Sequence, residues 1–201
     1  MTVTAIVLAA GASRRLGRPK QVLPYRGSTL LGTTLARVAT FGFDQVVVTL
    51  GASADVVRDR VDLTGCDVVV VDGADGIAGT GCSSSVAAAV DAVRPGTRGV
   101  VLLLGDQPEV SGDAVRSLRA AGRATPVAVC RYDDGRGHPF WFAARTLGHL
   151  RKLHGDKGVW RLLESGLYPV AEARVEGPVP LDVDTWDDYL DLLAATPKAE
   201  S

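Results

Sequence analysis

The chain has 201 residues, 22 Lys and Arg against 23 Asp and Glu, and a formal net charge of −1, with 46% of its residues hydrophobic. That is enough chain and apolar surface to fold without metal or disulfide staples. The balanced charge excludes nucleic-acid binding driven by overall charge, and no apolar run is long enough to span a bilayer. Cys66, Cys82 and Cys130 show neither C-x-x-C nor metal-ligand spacing, and "MTVTAIVLAAG" lacks the basic region of a signal peptide, so a reduced, cytoplasmic setting is expected.

The predicted elements begin with the apolar run "AIVLA" (5–9), which ends in a basic loop, "AGASRRLGRPK". Leu31, Leu35 and Val38 then fall at helical spacing behind Ser28, a predicted N-cap. Further continuous apolar runs are "QVVVTL" (45–50), "DVVVV" (67–71), "GVVLLL" (99–104) and "PVAVC" (126–130). Helical patterns lie between them, with Val86, Val90 and Val93 after the capping serines of "CSSS", and with Val115 and Leu118. Short, non-alternating runs suit strands covered on both faces, and their alternation with helices predicts an α/β, Rossmann-like, doubly wound and mostly parallel sheet. After residue 131 the rhythm changes. "RYDDGRGHP" reads as a polar loop, "FWF" (140–142) as a short strand, and "ARTLGHLRKL" and "KGVWRLLESG" as helical. A last amphipathic helix is expected with Trp186, Tyr189, Leu190 and Leu193 on one face. Residues 1–195 read as one domain and "TPKAES" (196–201) as a flexible tail.

Ligands of a parallel α/β sheet bind beyond the carboxyl ends of its strands, which is where the loop after the first strand lies. Gly11 and Gly17 permit positive φ and close backbone approach. Arg14, Arg15, Arg18 and Lys20 supply positive charge suited to phosphate. The loop fits neither G-x-x-x-x-G-K-[ST] nor G-x-G-x-x-G, because Lys20 is three residues past Gly17 and position 13 is serine.

"LAAGASRRLGRPKQVLP" resembles the nucleotide-binding signature of nucleotidyltransferases with the nucleotide-diphospho-sugar transferase fold, roughly L-A-A-G-x-S-x-R-[LM]-G-x-P-K-x-L-L-P. The resemblance implies that the turn Leu8-Ala9-Ala10-Gly11 holds the base and phosphates through its backbone, and that Arg15 and Lys20 hold the triphosphate. A triphosphate reaction calls for Mg²⁺, which takes one or two carboxylates plus phosphate oxygens and water. Asp106 in "GVVLLLGDQPEV" lies just past a predicted strand, where Gly105 leaves room. It reads either as a turn aspartate or, by the resemblance, as the Mg²⁺ ligand. "PLDVDTWDDYL" offers Asp182 and Asp184 for the second carboxylate. If 181–183 is extended, both point to one side. The resemblance favours Asp184, and Asp184 or Thr185 as the N-cap of the last helix is the competing reading. Asp187 and Asp188 suit the helix N-terminus electrostatically.

Within that fold, "GRGHPFWF" (135–142), "LHGDKGVWRLL" (153–163) and "LDVDTWDDY" resemble segments of the molybdenum cofactor cytidylyltransferases. Trp186 and Asp187 stand where that family has Pro and Glu. The resemblance implies that the loop of Gly81 and Ser85 reads the base. It also implies that His138, Asp156 and Lys157 face the pterin. Ala10, which is glycine in the related guanylyltransferases, would narrow the base pocket in favour of a pyrimidine. The implied reaction is Mg²⁺-dependent transfer of CMP from CTP to the phosphate of molybdopterin. Product would pass to an apo-molybdoenzyme of the xanthine dehydrogenase type, with no nucleic-acid or membrane partner. The alternatives are nucleotidyl transfer to a sugar 1-phosphate or isoprenoid precursor, and a non-catalytic molybdenum cofactor chaperone.

Overall fold

A computed structural model describes residues 2–71, 82–155 and 157–195. Nine strands and seven helices follow in chain order among these residues. They are β1 (Val3–Ala9), β2 (Pro24–Tyr25), β3 (Ser28–Thr29), α1 (Leu30–Ala39), β4 (Gln45–Leu50), α2 (Ala54–Arg60), β5 (Asp67–Val70) and α3 (Cys82–Asp91). Then come β6 (Gly99–Leu104), α4 (Gly112–Ala121), β7 (Val127–Arg131), β8 (Arg136–Ala143), α5 (Leu147–Leu150), α6 (Gly158–Glu164), β9 (Val170–Arg174) and α7 (Trp186–Ala195).

Seven strands form one sheet in the order β5-β4-β1-β6-β8-β7-β9. β1 pairs in parallel with β4 and β6, while β8 runs antiparallel to both β6 and β7. The sheet is mostly parallel with helices on both faces, the α/β architecture expected. The continuous apolar runs follow from this. Along β1, Val3, Ala5, Val7 and Ala9 join one core cluster with residues of α1, α2 and α4. Ile6 and Leu8 join the opposite cluster with α3, α5 and α6. Every residue of β1 is therefore buried, and alternation has no reason to show. The chain moves outward from β1 through β4 to β5 and returns on the other side of β1 as β6. Strand order thus reverses between β1 and β6, and the crevice beyond their carboxyl ends is the expected ligand site.

A third, smaller cluster gathers Leu16, Leu23, Tyr25 and Leu30 with Val183, Tyr189 and Leu192. It ties the basic loop and the β2–β3 hairpin to α7.

Several expectations need correction. The N-cap of α1 is Thr29, whose hydroxyl accepts from the Gly32 amide, because Ser28 is taken up in pairing with Tyr25. The serines Ser83, Ser84 and Ser85 lie inside the first turn of α3, and Val93 lies beyond its end. "RYDDGRGHP" is not all loop, since β8 already starts at Arg136. β9 is a strand with no apolar signature in the sequence, because Val170–Arg174 is a half-polar edge strand with Glu172 and Arg174 in ion pairs. α7 buries Tyr189 and Leu192, leaving Trp186, Leu190 and Leu193 exposed. The third cluster and a hydrogen bond from the Tyr189 hydroxyl to the Pro24 carbonyl set that rotation. The expected tail 196–201 lies outside the described residues.

Candidate active site

At the β1–β6 reversal a largely buried lysine, Lys20, meets two carboxylates. The Lys20 ammonium donates to Asp106 Oδ2 at 2.5 Å and to Asp184 Oδ1 at 2.8 Å. Three distant segments meet there. Lys20 opens a short turn, Lys20–Val22, after the basic loop, Asp106 follows β6, and Asp184 precedes α7. The lysine and Asp106 side chains are only 14% and 12% exposed, whereas Asp184 is 58% exposed and forms the outer wall. Burial pushes the Asp106 carboxyl above its ordinary range against the pull of Lys20, and the nearby Asp182 charge adds to the rise. For Lys20, burial acts downward, but the Asp106 charge and the hydrogen bonds to Asp106 and Asp184 outweigh it, so its pKa ends above the ordinary value. The lysine is held as ammonium.

Local geometry explains why Asp184 rather than Asp182 reaches the lysine. Val183 is fully buried in the third cluster, which turns Asp182 and Asp184 outward together. Asp188 then fixes the backbone at 184. Its carboxylate accepts from the Asp184 amide at 3.0 Å, the Thr185 amide at 2.7 Å and the Thr185 hydroxyl at 2.8 Å. The Asp188 amide returns a bond to the Thr185 hydroxyl, completing a reciprocal cap in which Thr185 is the N-cap. Asp184 is thereby freed from capping. The bonds from Thr185 lead the causes that hold the Asp188 carboxyl below its ordinary range. The T-x-x-D spacing was the signal that could have singled out Asp188.

The basic loop folds back on itself. Ser13 takes a positive φ of 50°, and its hydroxyl accepts from the Lys20 amide at 3.0 Å. Gly17 uses the conformational freedom expected of it, with a φ of 68°, whereas Gly11 stays outside the positive-φ region. Arg15 is 74% exposed and reaches Asp184 only at 4.0 Å. Arg14 and Arg18 are exposed. Leu8 and Ala9 are buried with their side chains in the two main cores, so only their backbones can meet a ligand. Ala10 and Gly11 lie at the rim.

Toward the far end of the crevice, Ser85 is buried in α3. The Ser83 hydroxyl donates to the Gly155 carbonyl, drawing the loop before α6 onto the start of α3. His138 sits in β8, not in a loop. Its ring lies 4.0 Å from Phe140 and, edge-on, 6.5 Å from Trp160, an aromatic neighbour the sequence did not single out. Burial lowers the His138 pKa to about 3, so the ring is neutral at physiological pH. Lys157 is exposed just ahead of α6. Gly81 and Asp156 lie outside the described residues.

The residues present fit a divalent cation. Two carboxylates already converge on one cationic atom, and their hard oxygens suit Mg²⁺ or Mn²⁺. Among the described residues no group of three His, Cys, Asp or Glu forms a self-sufficient cage, so the other ligands would come from substrate and water.

Residues 5–173 match the MobA-like NTP transferase domain. The chain belongs to that family. It is an enzyme of the nucleotidyltransferase type, with molybdenum cofactor transferases among its relatives. It is 49% identical to Rv0371C of Mycobacterium tuberculosis, solved in complex with manganese, with a TM-score of 0.87 over 98% of this chain and 100% of that one. It is 27% identical to the molybdenum cofactor cytidylyltransferase of Escherichia coli over 94% of each chain. It is also 36% identical over 145 residues to nicotine blue oxidoreductase of Paenarthrobacter nicotinovorans, covering 68% of this chain and 69% of that one. The family thus reaches beyond one named activity. No helix among the described residues is long and apolar enough to cross a membrane.

Two outcomes are expected. Asp188→Ala breaks one half of the reciprocal cap with Thr185, which should cost at most about 1 kcal/mol in urea unfolding. It also frees the backbone behind Asp184 and should weaken Mn²⁺ binding about ten-fold or more, measured by titration calorimetry. His138 provides the second. Its folded pKa of about 3 lies below its ordinary 6.5, so the unfolded chain binds more protons between these values. Its burial therefore takes stability away as pH falls from 6.5 toward 3. Melting temperatures of His138→Phe should fall less steeply than wild type across that window.

Proposed function

We propose that this enzyme transfers CMP from CTP to the phosphate of molybdopterin and releases pyrophosphate, with Mg²⁺ as the working metal. The observation that carries the reading is the Lys20 ammonium bridged between Asp106 and Asp184 at the mouth of the β1–β6 reversal. It joins a buried positive charge, two hard carboxylates and a small-residue backbone turn, the parts that a metal-bound triphosphate needs.

In the reaction, an oxygen of the acceptor phosphate attacks the α-phosphorus of CTP. A new P–O bond forms and the bond to the pyrophosphate oxygen breaks. No protein nucleophile takes part, so catalysis is positioning and charge stabilisation. Asp106 and Asp184 would hold Mg²⁺, which supplies charge neutralisation on the phosphates. Lys20 and Arg15 take the negative charge gathering on the leaving pyrophosphate. Arg15 suits that part because it is exposed and its ion pair with Asp184 is long, at 4.0 Å. The turn Leu8–Gly11 presents backbone to the nucleotide, and Gly81 and Ser85 are assigned to reading the base. His138, Asp156 and Lys157 take the pterin. His138 can do so only as a neutral ring, stacking or exchanging a hydrogen bond, because burial keeps it unprotonated.

Support for CTP comes from Ala10, whose methyl group would narrow the base pocket, and from the E. coli cytidylyltransferase relative, similar along nearly the whole chain. A guanylyltransferase relative, 34% identical over 129 residues, makes the base choice the point to test. Delivery of the product to an apo-enzyme of the xanthine dehydrogenase type belongs to the same reading.

Pyrophosphate release should require CTP and molybdopterin together. Release with a sugar 1-phosphate or isoprenoid phosphate in place of molybdopterin would redirect the acceptor assignment, and no release under any condition would favour a chaperone. Asp106→Ala should abolish turnover while circular dichroism stays native; wild-type rates would remove Asp106 from the site. Lys20→Ala should slow turnover about 10²-fold, the cost of one charge-stabilising donor. In a thermal-shift panel with Mg²⁺, CTP should shift melting more than GTP, ATP or UTP. A nucleotide at 100 times its Kd adds about 2.7 kcal/mol to folded stability. A larger shift with GTP would overturn the Ala10 argument.

A further inference from the structure

Directly after Lys20 stands a residue that the motif leaves unspecified. Gln21 is 4% exposed, and its side-chain nitrogen donates to the Ala9 carbonyl at 2.6 Å and the Gly11 carbonyl at 3.1 Å. Two carbonyls can be met only by the amino end of the amide, so its orientation is fixed, and its oxygen is left buried with no hydrogen-bond partner among the described residues. A buried amide with one end unsatisfied is a costly way to fill space. That points to a task for the other end.

The task follows from peptide geometry. In a planar trans peptide the carbonyl and the N–H point in opposite directions. Drawing the carbonyls of Ala9 and Gly11 toward Gln21 turns the N–H groups of the same two peptide units, those of Ala10 and Ala12, the other way. The remaining carbonyls of the turn are also occupied from the protein side. Leu8 accepts from the Gly105 amide at 2.9 Å, and the Ala10 carbonyl lies against Gly51, where an added Cβ would come within 2.3 Å of it. The turn is thus held on its oxygen side. The Ala9 N–H is taken up by the Thr49 hydroxyl at 3.4 Å, which leaves the N–H groups of Ala10 and Ala12 to face outward. Lys20 and Gln21 share one three-residue turn, so the charge that meets the carboxylates and the amide that holds the loop are set in fixed relation.

Resting on the nucleotidyl-transfer reading, we infer that Gln21 is a positioning residue for the nucleotide. It holds the Ala9–Ala12 turn so that the N–H groups of Ala10 and Ala12 meet the nucleotide at a set distance from Lys20. It touches neither substrate nor metal.

The test is calorimetric titration with MgCTP, MgGTP, MgATP, MgUTP and magnesium pyrophosphate. The wild-type arm identifies the nucleotide that binds best, so an error in the choice of CTP shows there and leaves the Gln21 arm intact. Gln21→Met keeps length and burial but loses both donors. It should lower affinity for that nucleotide about ten-fold or more while leaving pyrophosphate affinity within about two-fold of wild type, since Lys20 and Arg15 are untouched. In steady-state kinetics the nucleotide KM should rise more than kcat falls. Unchanged nucleotide affinity, or equal loss for nucleotide and pyrophosphate, overturns the inference. Should Gln21→Met fail to fold by circular dichroism, Gly51→Ala displaces the same turn from its opposite side. The same nucleotide-selective loss is expected there, and no loss or an equal loss overturns the inference. A wild-type protein that binds none of the four nucleotides overturns both this inference and the functional reading.

Discussion

A lysine ammonium taken out of water needs a counter-charge, and the rest of this molecule is arranged around that need. Withdrawing Lys20 from solvent is unfavourable unless opposite charge is already in place, and removing one partner of such a pair costs more than the pair itself contributes. Asp106 supplies the buried partner and Asp184 the outer one. Neither could sit there by local preference. Each is delivered by a rigid element, Asp106 by the end of a strand buried on both faces and Asp184 by a reciprocal helix cap. The arrangement is weak as a stabilising device. It is well suited to hold charge where a triphosphate and a divalent cation would exchange ions with it.

The topology does the placing. Because strand order reverses between β1 and β6, the loops that leave these two strands face each other across one crevice. The third segment comes from the opposite end of the sequence. Val183, buried to nothing, and Tyr189 pack with Leu16 and Leu23, so the apolar residues of the basic loop and of the last helix share one small core while their charged neighbours share the crevice. Burial and charge are separated residue by residue: Leu16 goes inward where Arg15 goes out, and Val183 goes inward where Asp184 goes out.

Much of this was legible in the sequence where a residue's environment is set by near neighbours or by a dense motif. Four of the five apolar runs became strands buried on both faces, which leaves a plain signature, and the fifth became the half-exposed edge strand β5. The pairing of Lys20 with Asp106 and Asp184 was approachable because each flanks a recognisable element. What stayed hidden depends on contacts between distant segments. The rotation of α7 is set by a hydroxyl reaching Pro24 from Tyr189, which no local period encodes. β9 pairs in parallel with β7 and carries charge on an edge, so neither alternation nor an apolar run marks it. Gln21 occupies an unspecified position of its motif, and its work is done on carbonyls ten and twelve residues upstream.

The small core around Leu16 and Tyr189 also bears on how the molecule is made. Contacts between residues so far apart in sequence close a loop of nearly the whole chain, and such contacts form slowly and late. Synthesis proceeds from the N-terminus, so strands β1, β4 and β6 can pair before residues 183–192 exist. Until then the basic loop lacks its apolar anchor and Lys20 lacks its outer carboxylate. The scaffold can therefore assemble ahead of the crevice, and the chain acquires its full charge clamp only in the last stage of its folding.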